Sequence, residues 1–89
     1  MTNDIKVLTA LADPTRRTLF ERIVEAPQSV GELAASVPVT QPAVSQHLKV
    51  LRTARLVEVE QRGAQRIYRA CRDGLEGLHR RIEDWIEAC

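Results

Sequence analysis

Read from the amino end, apolar positions recur at a helical period four times, alternate once, and end on a helical seam. Ile5, Leu8, Leu11 and Ala12 make the first stripe, with Asn3 or Asp4 placed to open it. Asp13-Pro14 is a second start signal, a capping carboxylate followed by proline at the first helical position. The helix it opens is expected to bury Leu19, Phe20, Ile23 and Val24 and to end near Pro27. Ser29 and Glu32 have capping-box spacing: the hydroxyl accepts from the Glu32 N–H, and the carboxylate accepts from the Ser29 N–H. Val30, Leu33, Ala34 and Val37 then form one stripe, stopped about Pro38, which removes a donor and disfavours α at the residue before it. Thr40 can cap the next helix, with Pro42 in its first turn, where a missing N–H costs little. In that helix Val44, Leu48 and Leu51 share a stripe, flanked by His47 and Val50.

The alternating stretch is Leu56-Val57-Glu58-Val59-Glu60, the pattern of a half-buried strand. Gln61–Gln65, with Gly63, supplies a turn, and Arg66-Ile67-Tyr68-Arg69 returns. The last helix carries Leu75, Leu78, Ile82 and Trp85 in the rhythm of a packing seam, with Cys89 next in it. The pattern therefore predicts a mainly α fold with a small β-hairpin between the fourth and fifth helices, as one domain over residues 1–89. Residues 29–55 have the layout of a helix-turn-helix, whose second helix can enter the major groove of DNA. A cationic hairpin beside it is a wing, placed to reach backbone or minor groove.

The polar side of the fourth helix gives this layout chemical content. Pro42, Ser45, Gln46, Lys49 and Arg52 lie opposite the apolar stripe with Thr53, and Gln41 sits near the boundary. Glutamine pairs bidentately with adenine, and lysine or arginine with guanine or phosphate. Thr40, Gln41, Ser45, Gln46, Lys49 and Arg52 are thus candidate DNA contacts, with Arg62, Gln65 and Arg66 near the hairpin tip. Net charge is only +1, but its distribution is uneven. Residues 1–37 sum to −1, residues 38–72 to +5 and residues 73–89 to −3. A basic block between two acidic ones is the footprint of a protein that meets phosphates with one face.

Composition bounds the rest. A chain this short buries only about 60–65% of its unfolded surface. With 3% aromatic residues its core is built from small aliphatics, so a partner subunit is expected to complete it. Ile5, Leu8, Leu75, Leu78, Ile82 and Trp85 are the expected homodimer interface, through the terminal helices. A two-fold dimer makes the preferred double-stranded DNA site an inverted repeat, with recognition helices about one turn of DNA apart or a multiple of it. No apolar run reaches membrane-span length, and MTNDIKVLTA lacks the plan of a secretory signal. Two cysteines, Cys71 and Cys89, are too few and too separate for a disulfide scaffold, which fits a reducing cytoplasm. No nucleophile–base pair, carboxylate dyad or phosphate-binding glycine loop is present, so catalysis is not expected.

ALADPTRRTLFERI, SVGELAASVPVTQPAVSQHLKVLRTARLV and QRGAQRIYRA together resemble the ArsR/SmtB family of bacterial winged-helix repressors, over about residues 5–72. The resemblance implies a cytoplasmic homodimer that represses transcription, often of its own operon, and releases DNA when an inducer binds. It implies a recognition helix over Thr40–Arg52 and a wing over Glu58–Arg69. Metal-sensing members place cysteines as in E-L-C-V-C-D-L ahead of the recognition helix; here Gln28-Ser29-Val30-Gly31-Glu32-Leu33 has no thiol. Others bind zinc with an Asp-x-His and a distant His-x-x-Glu. His79 and Glu83 alone do not supply the usual three or four ligands. No metal and no other cofactor is expected, and no inducer is legible. Arg55 stands where the family often has glycine, and a left-handed backbone there would cost about 1 kcal/mol. A winged-helix protein-interaction module and a thiol-redox-sensing repressor using Cys71 or Cys89 are the alternatives to a simple repressor.

Overall fold

The computed structural model describes residues 3–89. Its elements run α1 (Asn3–Ala12), α2 (Pro14–Glu25), β1 (Gln28–Ser29), α3 (Val30–Ala35) and α4 (Gln41–Thr53), then β2 (Val57–Arg62), β3 (Gln65–Ala70) and α5 (Asp73–Ala88). The start signals are used as local chemistry dictates. Asp13 accepts from the Arg16 N–H at 2.9 Å with Pro14 at the first helical position. Both halves of the Ser29–Glu32 box are made, at 3.2 and 3.0 Å. Thr40 accepts from the Ala43 N–H at 3.3 Å. The Ser36 hydroxyl and N–H both donate to the Leu33 carbonyl, closing α3 two residues before Pro38.

Buried side chains from every layer meet in one cluster. Val7 and Ala10 come from α1, Leu19, Phe20 and Ile23 from α2, Leu33 from α3, and Val44, Leu48 and Leu51 from α4. Leu56 just before the hairpin, Val57 and Tyr68 from the hairpin and Leu78 from α5 close it. Two expectations need correction. Val24 is 55% exposed, because it lies about 100° around the helix from Ile23, beyond the buried stripe. Leu78, placed by its rhythm in a seam between subunits, is only 8% exposed and belongs to the chain's own core. Its stripe neighbours Leu75, Ile82 and Trp85 remain uncovered, with Ile86 and with Ile5 and Leu8 of α1.

The hairpin is longer and its loop tighter than the alternation suggested. Register pairs Val57 with Ala70 through Arg62 with Gln65, leaving Gly63-Ala64 as a two-residue loop. Gly63 has φ 63°, the value a II′-type hairpin requires of its first loop residue. A third strand was not foreseen. Gln28 and Ser29 pair antiparallel with Tyr68 and Ile67, giving sheet order β1-β3-β2. Two residues are too few to show alternation, so only the partner strand reveals this one.

The end of α4 is the tightest corner. The Arg55 N–H donates to the Arg52 carbonyl and the Leu56 N–H to the Leu51 carbonyl, a Schellman closure with Arg55 at φ 61°. The Asn3 side chain donates to the Ala54 carbonyl at 3.2 Å, and the Gly74 N–H to the Arg55 carbonyl at 3.0 Å. A Cβ on Gly74 would lie 2.6 Å from the Ala54 oxygen and 2.9 Å from the Arg55 oxygen. Thus α1 and α5 both grip the C-terminus of α4, and an Arg81–Asp4 ion pair at 2.9 Å joins them directly.

Candidate nucleic-acid interface

An open cleft of about 840 Å³ runs between the outward face of α4 and the hairpin. From α4 it is lined by Gln41, Ser45, Gln46, Lys49 and Arg52, and from the hairpin by Gln61, Ala64, Gln65, Arg66 and Tyr68. Lys49, Arg52 and Arg66 put three cations on it, and among the described residues no carboxylate lines it. The cause is the helical period: Val44, Leu48 and Leu51 bury one side of α4, which turns the amides, hydroxyl and cations outward. The α4 N-terminus offers Gln41 and Ser45, and its last turn offers Arg52. That order lets the amides meet base edges while the cations meet phosphates.

Seven of the nine sequence-predicted contacts therefore share one surface, and two do not line it. Thr40 spends its hydroxyl on the helix cap. Arg62 lies 2.7 Å from Glu60, which also takes Arg69 at 3.2 Å. Those bonds, from Arg62 first, hold the Glu60 carboxyl below its usual pKa. Ser29, Val30 and Gly31 also line the cleft and were not foreseen. Their place follows from β1, which seats the start of α3 against β3. Gly31 carries no side chain into the space, where an added Cβ would approach only the Ser29 hydroxyl, at 3.9 Å.

Arg16 fixes the other flank of the recognition helix. Its guanidinium donates to the Ala10 carbonyl at 2.8 Å and the Thr9 carbonyl at 3.2 Å, capping α1, and lies 3.4 Å from His47 Nδ1. His79 and Glu83 form a solvent-exposed pair at 3.2 Å on α5. No group of three metal-ligating side chains occurs among the described residues. Cys71 and Cys89 are free thiols, the first half-buried and the second exposed. No helix among the described residues is long and apolar enough to cross a membrane.

The helix-turn-helix domain family model matches residues 11–60. The HTH-type transcriptional regulator Rv2034 of Mycobacterium tuberculosis is 51% identical over 80 residues, covering 89% of this chain and 75% of that protein. The HTH-type transcriptional repressor SmtB of the same organism is 41% identical over 64 residues, 72% of this chain and 47% of its own length. The solved ArsR-like transcriptional regulator from Rhodococcus sp. RHA1 superposes with a TM-score of 0.85 at 34% identity, over 97% of this chain and 80% of that one.

The chain belongs to the ArsR/SmtB family.

As an ArsR/SmtB protein it is a DNA-binding transcriptional regulator, in a family of regulators rather than enzymes. Its helix-turn-helix is α3–α4 and its wing is β2–β3. The chain spans three quarters of the first relative and about half of the second.

Proposed function

We propose that this ArsR/SmtB regulator is a cytoplasmic, sequence-specific repressor that binds an inverted-repeat operator as a homodimer. The carboxylate-free cleft between α4 and the wing carries this reading, because its cations and amides fit the backbone and base edges of one DNA half-site. The uncovered apolar residues of α1 and α5 support the dimer, since Ile5, Leu8, Leu75, Ile82 and Trp85 are what a second copy would cover. Contacts to roughly eight phosphates per dimer would give a log–log salt slope near −7.

A footprint on the DNA upstream of the protein's own gene tests the reading. Protection of an inverted repeat supports dimeric repression and autoregulation; a single unrepeated half-site overturns the dimeric operator. On the protected sequence, Gln46→Ala should lose about 1–3 kcal/mol of discrimination at one base position, whereas Arg66→Ala should weaken all sequences alike. Equal effects of both variants on every sequence would remove the base-reading role of Gln46.

A further inference from the structure

A second groove, of about 430 Å³, lies between α1 and α4, on the flank of the recognition helix away from the wing cleft's hairpin wall. Lys6 and Thr9 line it from α1, Gln46, Lys49, Val50 and Thr53 from α4, and Ala54 from just past the end of α4. Its size falls within the range of small-molecule sites. The Thr53 hydroxyl is used within the helix, donating to the Lys49 carbonyl at 2.9 Å, so its methyl is the free part. Val50 is 37% exposed although it is apolar and sits on the polar side of α4's core stripe. Among the described residues no ion pair engages Lys6 or Lys49, and no carboxylate lines the groove. An apolar floor beside two ammonium groups that no described residue pairs is complementary to a molecule with a hydrocarbon body and one anionic end.

We propose that this groove binds an amphipathic organic carboxylate, its hydrocarbon on Val50 and the Thr53 methyl and its anionic end on Lys6 and Lys49. Duplex phosphate would satisfy the lysines but leave the apolar floor against a charged strand, so a small carboxylate is the better match. The occupant opposes DNA binding, because Lys49 and Gln46 line both this groove and the wing cleft. A lysine neutralised by a bound carboxylate is lost to phosphate. This linkage rests on the DNA-reading role of α4 argued above; occupancy of the groove itself does not.

Octanoate, with octanol as its uncharged counterpart, tests the groove on the full chain. In an amide-resolved NMR titration octanoate should shift Thr9, Val50 and Ala54 at lower concentration than octanol does. Lys6→Gln should weaken octanoate binding at least about fivefold and leave duplex affinity without octanoate within about twofold of the parent. Val50→Ser should weaken both probes, which a general charge effect would not do. Saturating octanoate should raise the duplex Kd at least about fivefold, in the usual range of coupling between sites. Equal shifts from octanol, or shifts confined to the Ile82–Trp85 face, overturn the proposal. It is also overturned if Lys6→Gln weakens duplex binding while octanoate leaves the groove amides unmoved, because Lys6 is then a phosphate contact. Duplex binding is measured first without octanoate. Its failure removes the DNA reading and leaves the NMR result to decide the groove, whereas intact duplex binding insensitive to octanoate overturns the linkage.

Discussion

Two residues at the end of the recognition helix show how a single side chain, or its absence, decides a backbone path. Arg55 sits at φ 61°, where a Cβ costs about 1 kcal/mol and glycine costs little. Arg55→Gly should therefore raise the stability measured by urea denaturation by about 1 kcal/mol, with the Schellman bonds from residues 55 and 56 unchanged. That strain was legible only through the family resemblance, because Arg55 stands where the family often has glycine. Gly74 was not legible. Nothing along the chain says that α5 begins against the Ala54 and Arg55 carbonyls. Alanine there gains at most about 1 kcal/mol of helix propensity but sets a Cβ 2.6 Å from a backbone oxygen that is already hydrogen-bonded. Gly74→Ala should lower stability by about 1–3 kcal/mol in the same measurement, since a backbone neighbour cannot rotate away as a side chain can.

At the scale of elements, α2, α3 and α4 announced themselves through caps and the hairpin through alternation, whereas β1 did not. Asp13, Ser29 with Glu32, and Thr40 each satisfy orphan N–H groups at the predicted starts of α2, α3 and α4, a need that is local in sequence. β1 exists only through its pairing with β3, 38 or more residues away, so no local pattern could carry it. The caps also make stability depend on acid. The Arg16 backbone N–H lowers the Asp13 pKa, and the Ser29 backbone N–H, followed by its hydroxyl, lowers that of Glu32. A folded pKa below the unfolded one means the unfolded chain takes up protons first as pH falls. The stabilisation is present above the ordinary carboxylate range and is lost as pH drops below about 4 towards the folded values. Melting temperature should fall across that window, and the double variant Asp13→Asn, Glu32→Gln should flatten the fall while keeping cap geometry. An unchanged acid profile in the double variant would show that other carboxylates govern it.

For the whole molecule, the core alone does not account for where the apolar residues lie. Trp85, Ile86, Ile5 and Leu8 face outward on helices that pack together, although the chain has one tryptophan. Trp85→Glu should therefore leave helix content intact, shift sedimentation towards the monomer and weaken operator binding. A wild-type chain that sediments as a monomer at the concentrations of DNA binding would remove this account. The candidate DNA surface was legible along α4, because its cations and amides alternate with a core stripe in one helix. Its contribution from Ser29–Gly31 was hidden, because the sheet brings that turn to the cleft from a distance in sequence. The corner at residues 54–55 also bears on how such a chain changes over generations. Val7, Gly74 and the two carbonyls fill one another's space, so a side chain gained at position 74 persists only with a change at its neighbours. Substitutions at this corner are therefore expected to be coupled, whereas Val24, 55% exposed, makes no such demand. A graft of α5 from another such chain should therefore fold onto this corner only where it brings glycine at position 74.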